Sequence, residues 1–371
     1  MVTSEWPVAW RRGRRARKDS GMGELLGVGL THYPPLCGLD AAMADFLRAT
    51  LDDPAIPADR KDPAIWPARM QQEWADPIAA ARQHRSELVA GFARCRAALD
   101  EFAPDVVVVF GDDQYENFRE DIVPPFAVLA YEDIVARPWA HAQHSSAMAN
   151  KPNVWGEPPE TEITIRTRSD IARELTAGLL ERSIDVSYAY RPLHHESLPH
   201  SFMNTLLFLD YERKGFEYPV LPFTVNCYGR HVLSRRGFMA RFGETAEGDP
   251  PSPAPKRMMQ VGAAVADFFL DSPWRAALVS SSSWSHAFLC DKTWRLMPDG
   301  EADRQLYEWM VDEDYTALEN WTLPEVEEAG QQETLNWFAL FGAMQRAGRE
   351  LQWSTFVETH VFNSNKVFAI Y

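Results

Sequence analysis

Cysteine is scarce in this chain, positive charge is outnumbered, and no apolar run is long. The four cysteines, Cys37, Cys95, Cys227 and Cys290, are widely scattered with no paired spacing, which suggests neither a disulfide framework nor a thiolate zinc site. Lys and Arg total 37 against 53 Asp and Glu, a formal charge of −16. A nucleic-acid partner needs a positive footprint, so this balance argues against one. No stretch approaches the length of a membrane span, and the cytoplasm is the default expectation. Basic character gathers in one place, Arg11-Arg-Gly-Arg-Arg-Ala-Arg-Lys18. No apolar run follows it, so it does not read as a signal or twin-arginine leader. Residues 1–23 are expected to be a disordered basic extension, with Met22 as an alternative translation start. No internal repeat is evident.

What remains is enough for a large core. Of 371 residues, 46% are apolar and 12% aromatic, which fits one α/β domain over residues 24–371. Strand candidates are Leu25–Leu30, Val106–Phe110, Ile184–Tyr188, Tyr218–Asn226 and Ala276–Ser280. Helical spacing runs through Leu88, Phe92, Cys95, Leu99 and Phe102 until Pro104-Asp105 stops it. Further helices are expected over Ile171–Leu180, from near Pro199 to Leu209, and over Met258–Leu270, the last broken by Pro273. The segment Pro63–Trp74 is expected to be an irregular insertion, and residues 119–168 to be mostly loop and short strand. Helices alternating with buried strands predict a mixed or mostly parallel central sheet flanked by helices.

Four polar residues lie at the ends of apolar runs: His32, Gln114, His286, and Glu333 at the front of an apolar helix. Strands that deliver ligand-type or acid/base side chains at their carboxyl ends are how an α/β fold assembles a metal or catalytic pocket. Three of them have an ordinary alternative. His32 could merely hydrogen-bond backbone, His286 could plug a turn, and Glu333 could be a helix N-terminal carboxylate favoured by the dipole.

The motifs around these residues resemble the class III extradiol ring-cleavage dioxygenases, the family of the protocatechuate 4,5-dioxygenase beta subunit. The similarity extends from about Gly27 to Met344. It is carried by Gly27-Val-Gly-Leu-Thr-His32, by Pro104-Asp105 with Gly111-Asp-Asp-Gln-Tyr-Glu-Asn-Phe118, by Leu198-Pro-His-Ser-Phe202, by Trp284-Ser285-His286, and by the helix opening at Glu333. The resemblance implies an Fe2+ enzyme in which two histidines and one carboxylate hold one face of the metal, leaving positions for a catecholate and O2. It makes His32 and Glu333 ligands, His286 the acid/base residue beside the substrate, and His200 a donor to the substrate anion. The reference pKa of histidine suits proton traffic near neutrality.

One departure stands out. Where the family pattern ends its loop in Asp-His, this chain has Asp113-Gln114. Gln114 could present its amide oxygen to the metal, or Asp112 or Asp113 could complete the site instead. An Asp ligand would make a harder donor set that tolerates Mn2+ as well as Fe2+. The implied activity is oxidative opening of a catechol-type or aminophenol ring. A hydrolase or decarboxylase on the same scaffold, or a catalytically silent small-molecule-binding subunit, are the alternatives. Asn226 is a candidate to orient His32 or His286, and Trp284 a candidate apolar wall. Trp66 and Trp74 are read mainly as packing, with a substrate entrance as the other reading. The triplet His194, His195, Glu196 is a tempting metal set, but adjacent side chains on a loop rarely converge on one ion; the pair His141, His144 could lie at one helical turn on a lid, although the residues around them fit a solvated loop. The expected partners are a small aromatic substrate, O2 and a second copy of the chain.

Overall fold

The computed structural model describes residues 23–142, 151–233, 242 and 248–371. The basic run Arg11–Lys18, Met22 and His144 lie outside the described residues, as does the side chain of His141.

Among the described residues ten strands alternate with helices: β1 (Glu24–Leu30), β2 (Val106–Asp112), β3 (Phe126–Leu129), β4 (Ile134–Ala136), β5 (Ile163–Ile165), β6 (Ser187–Ala189), β7 (Val220–Val225), β8 (Arg275–Ser281), β9 (Trp353–Val357) and β10 (Lys366–Ile370). Eight of them form one sheet in the order β6-β3-β7-β2-β8-β1-β10-β9, and β4 pairs with β5 apart from it. The central strands β7, β2, β8 and β1 are all parallel. Antiparallel pairings of β3 with β7 and of β10 with β1 and β9 make the sheet mixed.

The pleat divides each buried strand between two cores. Val106, Val108 and Phe110 face one core with Phe269, Phe338 and Phe341, while Val107 and Val109 face another with Leu88, Phe92 and Phe202. Both sets are apolar because helices cover both faces of a parallel sheet. Helices 255–270 and 335–347 pack together on the first face. Their contact needs glycine. A Cβ at Gly262 would lie 1.8 Å from the carbonyl oxygen of Ala339, and one at Gly342 would lie 2.0 Å from that of Met259.

Several elements differ from the sequence reading. Pro63–Trp74 is not irregular: a short 3-10 turn at Pro63–Ile65 leads into the helix Ala68–Ala75. Pro67 sits just before that helix, where the missing N–H of proline costs nothing. Trp66 is buried and meets Trp74 edge-on at 6.0 Å, so the pair serves packing. The following helix starts at Pro77, eleven residues before Leu88 opens the apolar spacing, because Asp76 caps it through the N–H of Ala79 at 3.0 Å. The C-terminal strands β9 and β10 were not anticipated from the sequence.

Candidate metal centre

The carboxyl ends of β1, β2 and β8 meet on one side of the sheet, and the turn before helix 335–347 closes over them. Among the described residues, His32, Asp112 and Glu333 form one group of ligand-type atoms, all within 4.8 Å of one another and all buried. His32 stands two residues beyond the end of β1. Its Nδ1 bonds the carbonyl of Ser281 at the end of β8 at 2.9 Å, which assigns the proton to Nδ1 and turns Nε2 toward the carboxylates. Nε2 lies 3.5 Å from Glu333 Oε2 and 3.8 Å from Asp112 Oδ1. Burial first, and the charge on His200 second, drop His32 to about 3, so the ring is neutral and able to donate a lone pair.

Glu333 lies in a 3-10 turn, Gln332–Thr334, that runs straight into the helix Leu335–Ala347. Two donors hold its Oε1: the Tyr228 hydroxyl at 2.7 Å and Gln114 Nε2 at 3.1 Å. Its Oε2 is buried with no hydrogen-bond partner and also faces His286 Nε2 at 3.5 Å. Burial and then the neighbouring Asp112 push Glu333 well above the usual carboxylate range. Asp112 is raised too, chiefly by burial. Two desolvated carboxylates and an imidazole around an unpartnered oxygen fit a divalent cation, which would favour the ionised form of both acids.

Gln114 stands beside this group as a donor. Its Nε2 bridges Asp112 Oδ2 at 2.8 Å and Glu333 Oε1 at 3.1 Å, an orientation that two flanking carboxylates demand. Asp113 is not part of the group. Successive residues at a strand end point to opposite sides, and its carboxylate turns back to accept from the backbone N–H groups of Glu116, Asn117 and Phe118. Asn336 Nδ2 reaches Asp112 Oδ1 at 3.4 Å. The helix His200–Leu209 ties the strand ends from the other side, Ser201 Oγ bonding Asp112 O at 2.7 Å and Asn204 Nδ2 bonding His32 O at 3.1 Å.

The two further histidines flank the group. The His200 ring meets that of His32 edge-on at 5.2 Å. Glu116 binds both its backbone N–H, at 3.0 Å, and its Nδ1. Burial alone would lower His200, but the charge and hydrogen bond of Glu116 prevail and lift it to about 9. His286 is the reverse: burial, then His32 and Lys366, lower it to about 3, well below the near-neutral titration that the sequence suggested. His195 comes within 3.8 Å of the same Glu116, whereas His194 pairs with Asp121 at 2.9 Å in the outer loop.

Two secondary expectations are corrected. Asn226 orients neither histidine: its Oδ1 accepts from the N–H of Gly229 at 2.9 Å. Trp284 is a fully buried core residue packed edge-on against Trp337 at 5.5 Å, because the residue after the serine run points into the sheet's helical face. The serines themselves are fasteners. Ser282 Oγ bonds the Glu333 carbonyl at 2.8 Å, and Ser283 Oγ pairs with Thr31 at 2.7 Å. Sequence reasoning missed Tyr228, Asn336 and the role of Glu116. Only Glu116, in a dense polar loop after a strand, left a local signal.

No family model matches the chain. It is similar to 2,3-dihydroxyphenylpropionate/2,3-dihydroxicinnamic acid 1,2-dioxygenases. The Pseudomonas putida protein is 26% identical over 192 residues, 52% of this chain and 46% of that one. The Comamonas testosteroni protein is 27% identical over 194 residues, 52% and 47%. The Paraburkholderia xenovorans protein is 25% identical over 283 residues, 69% and 80%. The chain thus spans about half the length of the first two of these curated relatives. A crystal structure of an uncharacterized Escherichia coli K12 protein, 13% identical, covers 76% of this chain and 91% of its own at a TM-score of 0.41, a likeness too loose to bear on function. The distant sequence matches support a link to the class III extradiol dioxygenase superfamily, and not the narrower likeness to the beta subunit of protocatechuate 4,5-dioxygenase.

Proposed function

We propose that this protein is an Fe2+-dependent extradiol dioxygenase that opens a catechol-type or aminophenol ring, with Mn2+ as an alternative cation. The observation that carries the reading is the buried group His32, Asp112 and Glu333 with a neutral histidine on one side and a charged one on the other. His32 Nε2, an Asp112 oxygen and Glu333 Oε2 would hold the cation, and Gln114 would keep the two carboxylates together from outside. When bound, the cation supplies positive charge that acidifies a ring hydroxyl and a common seat for substrate and O2.

The chain does the rest. His286, neutral over the working pH range, takes the hydroxyl proton at a ring nitrogen. His200, held as imidazolium by Glu116, lies where it can donate to the negative charge that builds on the substrate oxygens. Both oxygen atoms of O2 end in the ring-opened product, so no outside reductant is required.

The two-carboxylate donor set favours a second reading, a hydrolase or decarboxylase in which the cation polarises a carbonyl. Reconstitution with Fe2+ under argon, followed by a panel of vicinal diols and aminophenols, separates the two. Oxygen uptake matched to the appearance of a ring-opened chromophore supports the dioxygenase. Turnover at the same rate without O2 supports the second reading. Failure to take up any divalent cation would leave a silent binding subunit.

A further inference from the structure

Asp303 lies outside the ligand group, fully buried in the first turns of the helix Gly300–Val311. Its carboxylate accepts from three separate stretches of chain. Ser285 gives its backbone N–H at 3.1 Å and its hydroxyl. Gln331 gives Nε2 at 2.7 Å, and Asn365 gives Nδ2 at 2.8 Å. The helix does not need Asp303 as a cap, because Asp299 already accepts from the N–H of Ala302.

The stretches it joins are those that carry the site. Ser285 immediately precedes His286, whose own N–H donates to the carbonyl of Gly330 at 2.8 Å. Gln331 stands two residues before Glu333, and its carbonyl accepts the N–H of Thr334 at 2.8 Å, closing the turn that presents the Glu333 carboxylate. Asn365 clasps the first stretch again, donating its N–H to Ser285 at 3.2 Å and accepting from Trp284 at 2.9 Å. A buried carboxylate is costly unless its lone pairs are filled. Here the donors that fill them come from the segments of both functional side chains.

We infer that Asp303 is a positioning residue that fixes the His286 segment and the Glu333 turn relative to each other, and so sets the distance between the base and the metal-binding carboxylate. The inference rests on the metal reading proposed above. Asp303→Asn turns an amide N–H toward donors and breaks the junction. Gln331→Ala cuts the arm to Glu333, together with the bond that Trp321 Nε1 gives Gln331 Oε1 at 3.2 Å, Ser285→Ala trims only the arm to His286, and Leu306→Ala, a buried residue of the same helix, lowers stability without touching either arm.

The test is Mn2+ binding to the full-length protein, read by electron paramagnetic resonance of the free ion, with unfolding followed in parallel. Asp303→Asn and Gln331→Ala are expected to weaken Mn2+ binding by about tenfold or more, while Leu306→Ala binds as the parent does. Ser285→Ala is expected to keep Mn2+ and to lower kcat with little change in KM. Gln331→Ala decides the matter if Asp303→Asn does not fold. Parent-like Mn2+ binding by Gln331→Ala, or equal weakening by Leu306→Ala, overturns the inference and leaves the metal reading standing. A parent protein that binds no Mn2+ overturns both.

Discussion

In the proposed centre Asp112 would be the third ligand and Gln114 would orient the two acids. The Asp112 carboxylate points among His32 and Glu333, and the Gln114 amide spans the two acids as a donor. Asp112→Asn is therefore expected to abolish retention of a divalent cation through dialysis. Gln114→Ala, which removes an orienting hydrogen bond, should weaken it by about 10- to 100-fold; elemental analysis of the dialysed proteins checks the contrast. His286 touches the group, its Nε2 3.5 Å from Glu333 Oε2, and is proposed to act on the substrate rather than to hold the cation. His286→Ala should lower turnover by at least about 100-fold while metal content stays near that of the parent, and retention of parental ring cleavage across several diols would remove its assignment as base. His200 gives a pH prediction. Its pKa is raised in the fold from 6.5 to about 9, so its contribution to stability is complete below about pH 6.5 and is lost as the pH rises through 9. Denaturant unfolding of the metal-free protein should show that loss, and Glu116→Gln should flatten it.

At the scale of elements, the site depends on how closely helix 335–347 can approach its neighbours. The turn carrying Glu333 is the first part of that helix's path, and the helix is seated by the glycine contact with helix 255–270. Gly342→Ala would force a methyl group to 2.0 Å from the Met259 carbonyl oxygen, and backbone cannot yield as a flexible side chain does. Overpacking of this kind costs about 1–3 kcal/mol. Urea unfolding should show that loss, and because the displaced helix carries Glu333, cation affinity should fall with it. A variant as stable as the parent would mean that the two helices slide apart freely. The strand-end loops behave differently: they are fastened by side-chain hydroxyls and amides rather than by packing, as Ser282 on Glu333 and Asn204 on His32 show.

At the scale of the whole molecule, the sheet places every proposed functional group at one end, where parallel strands leave a crevice beyond their carboxyl ends. Among the described residues no helix is long and apolar enough to cross a membrane. We predict a homodimer. Light scattering over a range of concentrations should give twice the chain mass, and a monomer throughout would refute it. The sequence by itself determined the layering, because runs such as Val106–Phe110 are apolar at every position and only a sheet covered on both faces can bury them. It also singled out His32, Gln114, His286 and Glu333, since each breaks an apolar pattern at the end of an element; His200 came from the family resemblance alone. Tertiary structure alone decided the partners. Whether Asp112 or Asp113 faces inward depends on the pleat at the last residue of β2. The link from Gln114 to Glu333 spans 219 positions, that from Tyr228 to Glu333 spans 105, and that from Glu116 to His200 spans 84. No local period encodes such separations; they exist only once strand order and helix packing have brought the chain ends of distant elements within hydrogen-bonding reach.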